Sequence, residues 1–401
     1  MKRLLGATTA TALLLTWALL PGCGGAGDGN SSVATRAAQA PEEVPFPIPV
    51  VEVAGDGADM GAEHGRQLAP TIRDLHHKYL KAYFSSEGQR FMAMAAAAAF
   101  EQRVSPHHLQ EINALADAAG VNRRQMLLAH CFLDLSPMTA CSTVTLPASA
   151  SPDGVARFGR NLDFPSFDVA DKLSVVQVYR PAGRNAFMAV GWPGMVGVLT
   201  GMNEHGLTVA NMEVTRGRRL PTAMPYILLY RTVLEDCRTT QEAIDLIKRT
   251  SRQTANNLMV MDAAGDRAVI EITPEAVHVR RAAEKQALIS TNHQRGDDCE
   301  SAGRCDRFDA LVEESAGRRG RIDVKAIQAM LADVSQGRMT LQSMVFEPST
   351  RVMYLSTGKD AARKTFYRLD LKKHFARGTQ HVAVDDVVPS GGRPPSAHAG
   401  S

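Results

Sequence analysis

The sequence lacks a strong charge of either sign and any long run of basic residues. Its 45 lysines and arginines and 42 aspartates and glutamates are spread along the chain and give a formal net charge of +3. A nucleic-acid partner requires a basic stripe that follows the phosphate backbone, so no nucleic acid is expected as a partner. With 401 residues, 44% hydrophobic and 22% charged, the composition is typical of a globular protein with a sizeable core.

Long apolar runs are absent after residue 22, so no transmembrane helix is expected beyond it. Residues 1–22 predict an export signal peptide, because a basic pair precedes an apolar stretch from Leu4 to Leu20. That stretch closes on a Pro-Gly-Cys sequence ending at Cys23, which resembles a bacterial lipobox. Cys23 is therefore the predicted lipidation site, with ordinary signal-peptidase cleavage as the alternative. Lipid alone is then expected to hold the exported protein on a periplasmic or extracellular membrane face.

Cysteines are few, and the chain has only six. If Cys23 is lipidated, five are left, and an odd number in an oxidising compartment indicates a reactive thiol. Cys299 and Cys305 flank a short polar loop, for which a disulfide and two reduced thiols both stay open. The adjacent pair His107 and His108 is expected to point to different helix faces. No metal site and no cofactor are therefore predicted.

Composition and periodicity divide the rest of the chain into four segments. Residues 23–44 are rich in Gly, Ser, Ala and Pro and predict a flexible tether, and residues 389–401 have a similar composition and predict a disordered tail. Residues 45–140 predict helices, and residues 141–388 predict strands interrupted by pairs of helices. Such segregated blocks favour an α+β fold with helices layered over antiparallel sheet, rather than βαβ units.

Two local signals refine the helical segment. Ser105 and Pro106 predict a helix that begins there as N-cap and first residue, and Gly120 predicts its end. Gly61 and Gly65 have the spacing of a close helix–helix contact. A further helix is expected at residues 240–248, with Thr240 as a plausible cap.

The sharpest chemical feature is Cys141, which follows Ala140 where the helical segment meets the first predicted strand, with Arg160-Asn161-Leu162-Asp163 on the next strand. This set resembles the choloylglycine hydrolase and penicillin acyltransferase group of N-terminal-nucleophile (Ntn) hydrolases. The hairpin at residues 201–207 and the Ser-Thr-Asn-His at 290–293 resemble further motifs of that group, in the right order. The resemblance covers roughly residues 55 to 360. It implies a four-layer αββα sandwich, two antiparallel sheets between helical layers, with a helical propeptide up to Ala140.

The residue types also make chemical sense by themselves. A cysteine with its own α-amino group carries a base, because that amine titrates at about 7.7 to 8.0 and can take the thiol proton. Arg160 would favour the thiolate, Asp163 would hold the ammonium, and the Asn292 amide would stabilise the oxyanion. Each residue also has a structural alternative. Cys141 could be a buried apolar side chain, Arg160 and Asp163 a surface ion pair, and Asn292 a residue that ends a strand.

Other candidates are less sharply defined. Asn211 lies near the position of a second oxyanion asparagine in bile-salt-type members, but the closest match is Glu213, so the sequence departs from that branch. Arg304 and Arg307 both lie where the group has a site-stabilising arginine, and exposed helix-start arginines are the alternative. A further set of apolar side chains could line an acyl pocket or belong to the core: Trp192, Met195 and Met202.

The predicted function is a thiol amidohydrolase that cleaves linear amides of small molecules through an acyl thioester on Cys141. Transfer of the acyl group to an amine is the alternative outcome. A non-catalytic lipoprotein that binds an acylated ligand, and a Cys-His-Asp protease using His205 or His293, are alternatives of other classes.

Self-cleavage between Ala140 and Cys141 follows from this chemistry. Inside the chain the nitrogen of Cys141 is an amide and cannot serve as a base, so the precursor must be cut. Two fragments that remain associated are expected. Alanine restricts the positive-φ conformations that glycine allows, which favours slow or partial cleavage.

Overall fold

The computed structural model describes residues 46–135, 140–215, 222–296 and 304–376. The predicted signal peptide, Cys23, the tether, Cys299 and the predicted disordered tail lie outside the described residues. Cys305 is buried, with Sγ 3.5 Å from Thr291 Oγ1. None of the helices in the described ranges has both the length and the apolar character required to cross a bilayer.

Four helices form most of the upstream segment. They are α1 (Gly57–Tyr83), α2 (Glu87–Glu101), α3 (Pro106–Ala119) and α4 (Arg123–Leu135). As predicted, Pro106 begins α3 and Gly120 ends it in the left-handed conformation, φ 68°, although Ser105 makes no side-chain cap bond. The Gly61–Gly65 prediction of close packing is also confirmed. A Cβ at Gly61 would lie 2.2 Å from the Glu111 carbonyl oxygen on α3.

Fourteen strands of the described ranges form two sheets. The eight-stranded sheet contains, in spatial order, β1 (Val50–Gly55), β4 (Val175–Pro181), β5 (Phe187–Gly191), β6 (Thr200–Asn203), β7 (Thr208–Glu213), β8 (Asn256–Met261), β9 (Arg267–Ile272) and β10 (Val277–Arg280). The six-stranded sheet contains β11 (Leu288–Ser290), β2 (Ala140–Leu146), β3 (Arg157–Asp163), β12 (Thr340–Glu347), β13 (Val352–Thr357) and β14 (Tyr367–Asp370).

Helices cover the outer faces of both sheets. The eight-stranded sheet carries α5 (Tyr226–Asp236) and α6 (Thr240–Arg249), and the six-stranded sheet carries α7 (Asp306–Gly317) and α8 (Val324–Asp333), with the short α9 (Leu371–Phe375) near the chain end. The inner faces meet directly, since Thr143 Oγ1 lies 3.5 Å from Met212 Sδ and Thr145 Oγ1 lies 3.9 Å from Met259 Sδ. The predicted α+β sandwich is confirmed.

Two details correct the sequence-based predictions. The segment before Cys141 is not wholly helical, because β1 joins the eight-stranded sheet, and it pairs with β4 in parallel rather than antiparallel. The α6 cap is Thr239, whose side chain accepts from the Glu242 N–H, and Thr240 is the first helical residue. For β1 the sequence signal of a strand was present, since buried Val51 and Val53 alternate with more exposed neighbours.

Candidate active site

Cys141 lies near the start of β2, the second strand from one edge of the six-stranded sheet. In the β2–β3 register, Cys141 faces Leu162 and Ala140 faces Asp163. Side chains alternate along a strand, so Cys141 shares a face with Thr143, which contacts the other sheet. The fully buried Cys141 side chain therefore lies between the two sheets. Ala140 has the extended backbone of a strand, a conformation that alanine adopts without strain.

Asn292 and Arg307 hold the backbone of Cys141 from both ends. The Cys141 N–H donates to Asn292 Oδ1 at 2.7 Å, and the Arg307 guanidinium donates to the Cys141 carbonyl oxygen. Arg307 Nη2 also donates to Asn292 Oδ1 at 3.1 Å, while Asn292 Nδ2 donates to the Glu213 carbonyl at 2.8 Å. In this uncleaved chain Asn292 thus positions the nitrogen of the nucleophile, and its oxyanion role stays a prediction.

The structure separates the two candidate arginines. Arg304 has a side chain that is 87% exposed and pairs with Asp306 at 3.2 Å. The Arg307 side chain is only 17% exposed and lies within the site, with Nη1 3.9 Å from Asp163 Oδ2. Arg307 is therefore the site arginine of the pair, and Arg304 is the exposed helix-start residue that the alternative described.

Asp163 is a buried carboxyl beside the bond that cleavage would break. Its Oδ1 accepts a hydrogen bond from Thr340 Oγ1 at 2.5 Å, and its Oδ2 is buried without a hydrogen bond among the described residues. Burial raises the pKa of Asp163 to about 6, against the opposing effects of the Thr340 hydrogen bond and of the Arg307 and Arg160 charges. A cationic donor near Oδ2 would stabilise the ionised form.

Arg160 lies on the same strand face as Cys141, because it is opposite Thr143 in the register. It is fully buried, and it acts on the Cys141 thiol both through its charge and through a side-chain hydrogen bond. Burial raises the pKa of the Cys141 thiol, while the charges of Arg160 and Arg307 lower it. The predicted effect of Arg160 thus has the right direction, but burial outweighs it in the uncleaved chain, so the thiol needs a base.

Asn211 is not brought to the nucleophile. Met212, its neighbour on β7, contacts Thr143 in the opposite sheet, so by strand alternation Asn211 presents the other face. Glu213 reaches the site through its backbone carbonyl, which accepts from Asn292. Asn211 is therefore not placed to act as a second oxyanion donor. His205, one of the two protease candidates, directs Nε2 to Asn185 Oδ1 at 3.1 Å in a polar surface cleft.

An apolar pocket lies at the end of β3, the strand that carries Arg160 and Asp163. Phe164, two residues beyond Leu162, lines it and packs against Trp192 with ring centroids 4.9 Å apart. Phe164 directly follows Asp163, the last residue of β3, so the chain runs from the site into the pocket wall. Of the three side chains for which pocket and core were both open, Trp192 and Met195 line the pocket, whereas Met202 is buried core. Helices α1 and α4 supply much of the remaining wall, including Leu75, Tyr79, Phe132 and Leu133.

Contrary to the prediction, His107 and His108 do not point to different helix faces. Both rings approach Glu235 Oε2, at 3.5 and 3.1 Å, and their centroids are 4.0 Å apart. The prediction was wrong because the rings at the start of α3 converge on one carboxylate of α5. That carboxylate also accepts from Arg231 Nε at 2.8 Å and lies 3.6 Å from Arg184, two cations whose charge opposes a metal ion there.

Comparison with known proteins gives one family match and several similar proteins. The model of the family described as acyl-coenzyme A:6-aminopenicillanic acid acyl-transferase matches residues 150–362, just over half of the 401 residues and including Arg160, Asp163, Asn292 and Arg307. N-acylethanolamine-hydrolyzing acid amidase of Oryctolagus cuniculus is 27% identical over 158 residues, 37% of this chain and 43% of that protein. The chain thus spans less than half the length of this curated relative.

Solved structures of low sequence identity are also similar. The Caenorhabditis elegans ortholog of the same amidase is 21% identical, covers 57% of this chain and 100% of its own, and has a TM-score of 0.45. Penicillin V acylase from Agrobacterium tumefaciens is 14% identical, covers 58% and 86%, and has a TM-score of 0.46. A variant of conjugated bile acid hydrolase from Clostridium perfringens is 15% identical, covers 58% and 93%, and has a TM-score of 0.42.

Proposed function

The chain belongs to the acyl-coenzyme A:6-aminopenicillanic acid acyl-transferase family, and from its site we propose that it is a self-activating thiol amidohydrolase acting on linear amides. One observation carries the proposal. The backbone nitrogen of a buried cysteine is held by Asn292, with Arg307 bonded to the same cysteine and the Asp163 carboxyl adjacent. A buried structural cysteine would not require this polar environment around its own nitrogen.

Activation proceeds at the Ala140–Cys141 bond. The Cys141 thiol attacks the Ala140 carbonyl, the C–N bond breaks as the C–S bond forms, and the nitrogen takes a proton to become the α-amine. Water then hydrolyses the thioester and leaves a carboxylate on Ala140 and the thiol on Cys141. Because Ala140 is opposite Asp163 in the register, the new ammonium lies beside a carboxyl whose Oδ2 accepts no hydrogen bond from the described residues. Ionised Asp163 would hold that ammonium.

Turnover uses the amine that cleavage creates. The neutral α-amine takes the thiol proton, and the thiolate attacks the amide carbonyl of the substrate. The resulting ammonium then gives its proton to the leaving amine, and an acyl thioester remains on Cys141. Water, deprotonated by the same α-amine, hydrolyses the thioester and releases the acid. Arg160 and Arg307 stabilise the thiolate electrostatically, which matters because burial opposes its ionisation.

The pocket supports an apolar acyl group on the substrate. Its wall is formed almost entirely by aromatic and aliphatic side chains, and one of them, Phe164, directly follows Asp163 of the site in the chain. An alkyl or aryl acyl group would bury its apolar surface there, at about 25 cal/mol per Å² removed from water. The name of the rabbit relative, an N-acylethanolamine-hydrolyzing amidase, agrees with this class, in which a small molecule carries an acyl amide.

Acyl transfer is the second candidate, because the matching family is named for an acyltransferase. The two outcomes differ only in whether water or an amine resolves the thioester. Purified enzyme incubated with a phenylacetyl or lauroyl amide and an added amine would separate them. Release of acid as the main product supports hydrolysis, and products dominated by the new amide would refute it in favour of transfer.

The mechanism itself is tested by mass. Intact-mass spectrometry of the active enzyme should reveal two chains, one ending at Ala140 and one beginning at Cys141, and a transient adduct equal to the acyl group on the second chain. An active enzyme that is one uninterrupted chain through residue 141 would overturn the mechanism.

Association of the two fragments after cleavage is part of the proposal, and the contacts between them support it. Strand β1 of the upstream fragment pairs with β4 of the downstream fragment. Arg231 on α5 forms buried ion pairs with Glu111 on α3, at 2.6 Å, and with Glu235, at 2.8 Å. Removal of the upstream fragment would expose a sheet edge and take from the buried Arg231 one of its two carboxylate partners.

Lipid anchoring is proposed separately, from the lipobox-like sequence at Cys23. Two or three acyl chains on this residue would hold the exported protein on a periplasmic or extracellular membrane face. Membrane fractionation of the wild type and of Cys23→Ser tests this. The proposal requires the variant to leave the membrane fraction, and a variant that stays there would refute it.

A further inference from the structure

Two buried histidines of the upstream fragment bind the loop that forms one wall of the apolar pocket. The loop, residues 192–199, follows β5 and leads to β6. Its Gly194 N–H donates to His64 Nε2 at 3.2 Å, and its Val196 N–H donates to His130 Nε2 at 3.0 Å. His64 lies on α1 and His130 on α4, and both are fully buried. The loop therefore depends on acceptors from the other side of the cleavage point.

Both histidines are set up as neutral acceptors. The His130 Nδ1–H donates to the Met126 carbonyl one turn earlier on α4, at 2.7 Å, which leaves the lone pair on Nε2. His64 Nδ1 lies 3.4 Å from the Tyr179 hydroxyl. Burial lowers the pKa of His64 to about 3 and that of His130 to about 4. Neither ring carries a charge at neutral pH that would prevent it from accepting.

The loop is fitted closely to α1. Gly194 has φ 82°, and a Cβ there would lie 3.1 Å from Ile72. Trp192, Met195 and Leu199 of the same loop line the pocket. The two histidine hydrogen bonds hold the backbone between these side chains, together with those that Arg231 and Tyr179 donate to the Val196 and Met195 carbonyls, and so help to set the shape of the pocket wall.

We infer that His64 and His130 are positioning residues that set the acyl-chain preference of the enzyme, so that the upstream fragment takes part in substrate selection. The inference rests on the proposed function, because it requires the acyl group to occupy the pocket. Neither histidine touches the reacting atoms, so both act through the loop.

The test compares a long and a short substrate, the p-nitroanilides of lauric and acetic acid. His130→Leu leaves the buried Val196 N–H without an acceptor, so KM for the lauroyl amide should rise roughly tenfold. The kcat for the lauroyl amide, and both kcat and KM for the acetyl amide, should change by less than about twofold. His130→Gln places an amide oxygen near the position of Nε2 and should restore most of the lauroyl KM, and the same pair of variants applies to His64. His108→Leu is the matched control, since His108 is equally buried but bonds Glu235.

Hydrogen exchange gives a readout that does not depend on activity. In uncleaved Cys141→Ala, the protection from exchange of the peptide that covers residues 192–199 should fall when His130→Leu is added. It should persist when His130→Gln or the control substitution His108→Leu is added instead. An unchanged ratio of the two KM values, or the same change in the control, would overturn the inference.

If the wild type cleaves neither amide, the proposed function fails by itself. The inference would then be tested by laurate binding to Cys141→Ala. Binding that His130→Leu weakens and His130→Gln restores would support the inference, and binding that is equal in all these variants would refute it. If the Leu variants do not fold, the Gln variants decide: altered acyl preference despite a retained acceptor would refute the role.

Discussion

Replacement of Arg307 by methionine should lower kcat/KM and slow self-cleavage together. Arg307 donates to the Cys141 carbonyl and to Asn292 Oδ1, and its charge favours the Cys141 thiolate. A charge-assisted hydrogen bond contributes about 1.5 to 3 kcal/mol. A loss of about 3 kcal/mol in the transition state corresponds to roughly a hundredfold in rate. Methionine retains most of the apolar stem, so the change removes mainly the guanidinium.

The assay follows kcat/KM on the lauroyl amide and the fraction of cleaved chain by intact mass over time. The pH dependence of thiol alkylation should also shift upward in Arg307→Met, because one of the charges that lower the Cys141 pKa is gone. Arg307→Lys should recover part of the rate, since it restores a charge but not the paired donation.

Arg304→Met is the matched control, because Arg304 is exposed and bonds only Asp306 among the contacts described. It should stay within about twofold of the wild type, since exposed ion pairs contribute little. The reasoning is refuted if Arg307→Met keeps the wild-type kcat/KM while folded, or if the Arg304 control loses activity to the same extent.

Four further results are expected. Cys141→Ala should remain one inactive chain by intact mass, and a cleaved variant would show that another residue cuts. Burial raises the pKa of Asp163 to about 6, above the ordinary 3.8. As the pH rises from 4 to 6, the unfolded chain loses the Asp163 proton before the folded chain does, so the free energy of unfolding of uncleaved Cys141→Ala should fall by up to about 3 kcal/mol. Adding Asp163→Asn to this variant should abolish that pH dependence. Gly194→Ala should lower stability by about 1 to 2 kcal/mol and raise KM for the lauroyl amide, because φ is positive and Ile72 is close; unchanged melting and KM would contradict this. Arg231→Met leaves the buried Glu111 carboxylate without its cation and removes the nearer of two cations from Glu235, so it should cost about 3 to 5 kcal/mol; fragments that still co-elute at wild-type stability would refute the importance of this network.

The parts of the site that sequence predicted are those carried by short, regular spacings. Cys141, Arg160 and Asp163 lie on two antiparallel strands joined by a short connection, so a motif on each strand brings them together. Asn292 follows a strand that pairs with β2. The choice between Arg304 and Arg307 could not be made, because it depends on where α7 begins: Arg304 precedes the helix, whereas Arg307 lies in its first turn. Asn211 failed for a related reason, since a shift of one residue along a strand moves a side chain to the other face.

Contacts between distant segments were beyond sequence reasoning, and they concern the upstream fragment above all. Composition indicated a helical propeptide, a segment whose usual role ends with cleavage. In the folded chain the same segment contributes an edge strand, one carboxylate of a buried ion network, part of the pocket wall and the acceptors for the pocket loop. On the proposed mechanism, cleavage at Ala140 would therefore change the chemistry of a single nitrogen and leave the substrate site assembled from both fragments. This predicts that the downstream fragment, expressed alone from Cys141, would have the nucleophile but would lack much of the surface that selects its acyl group.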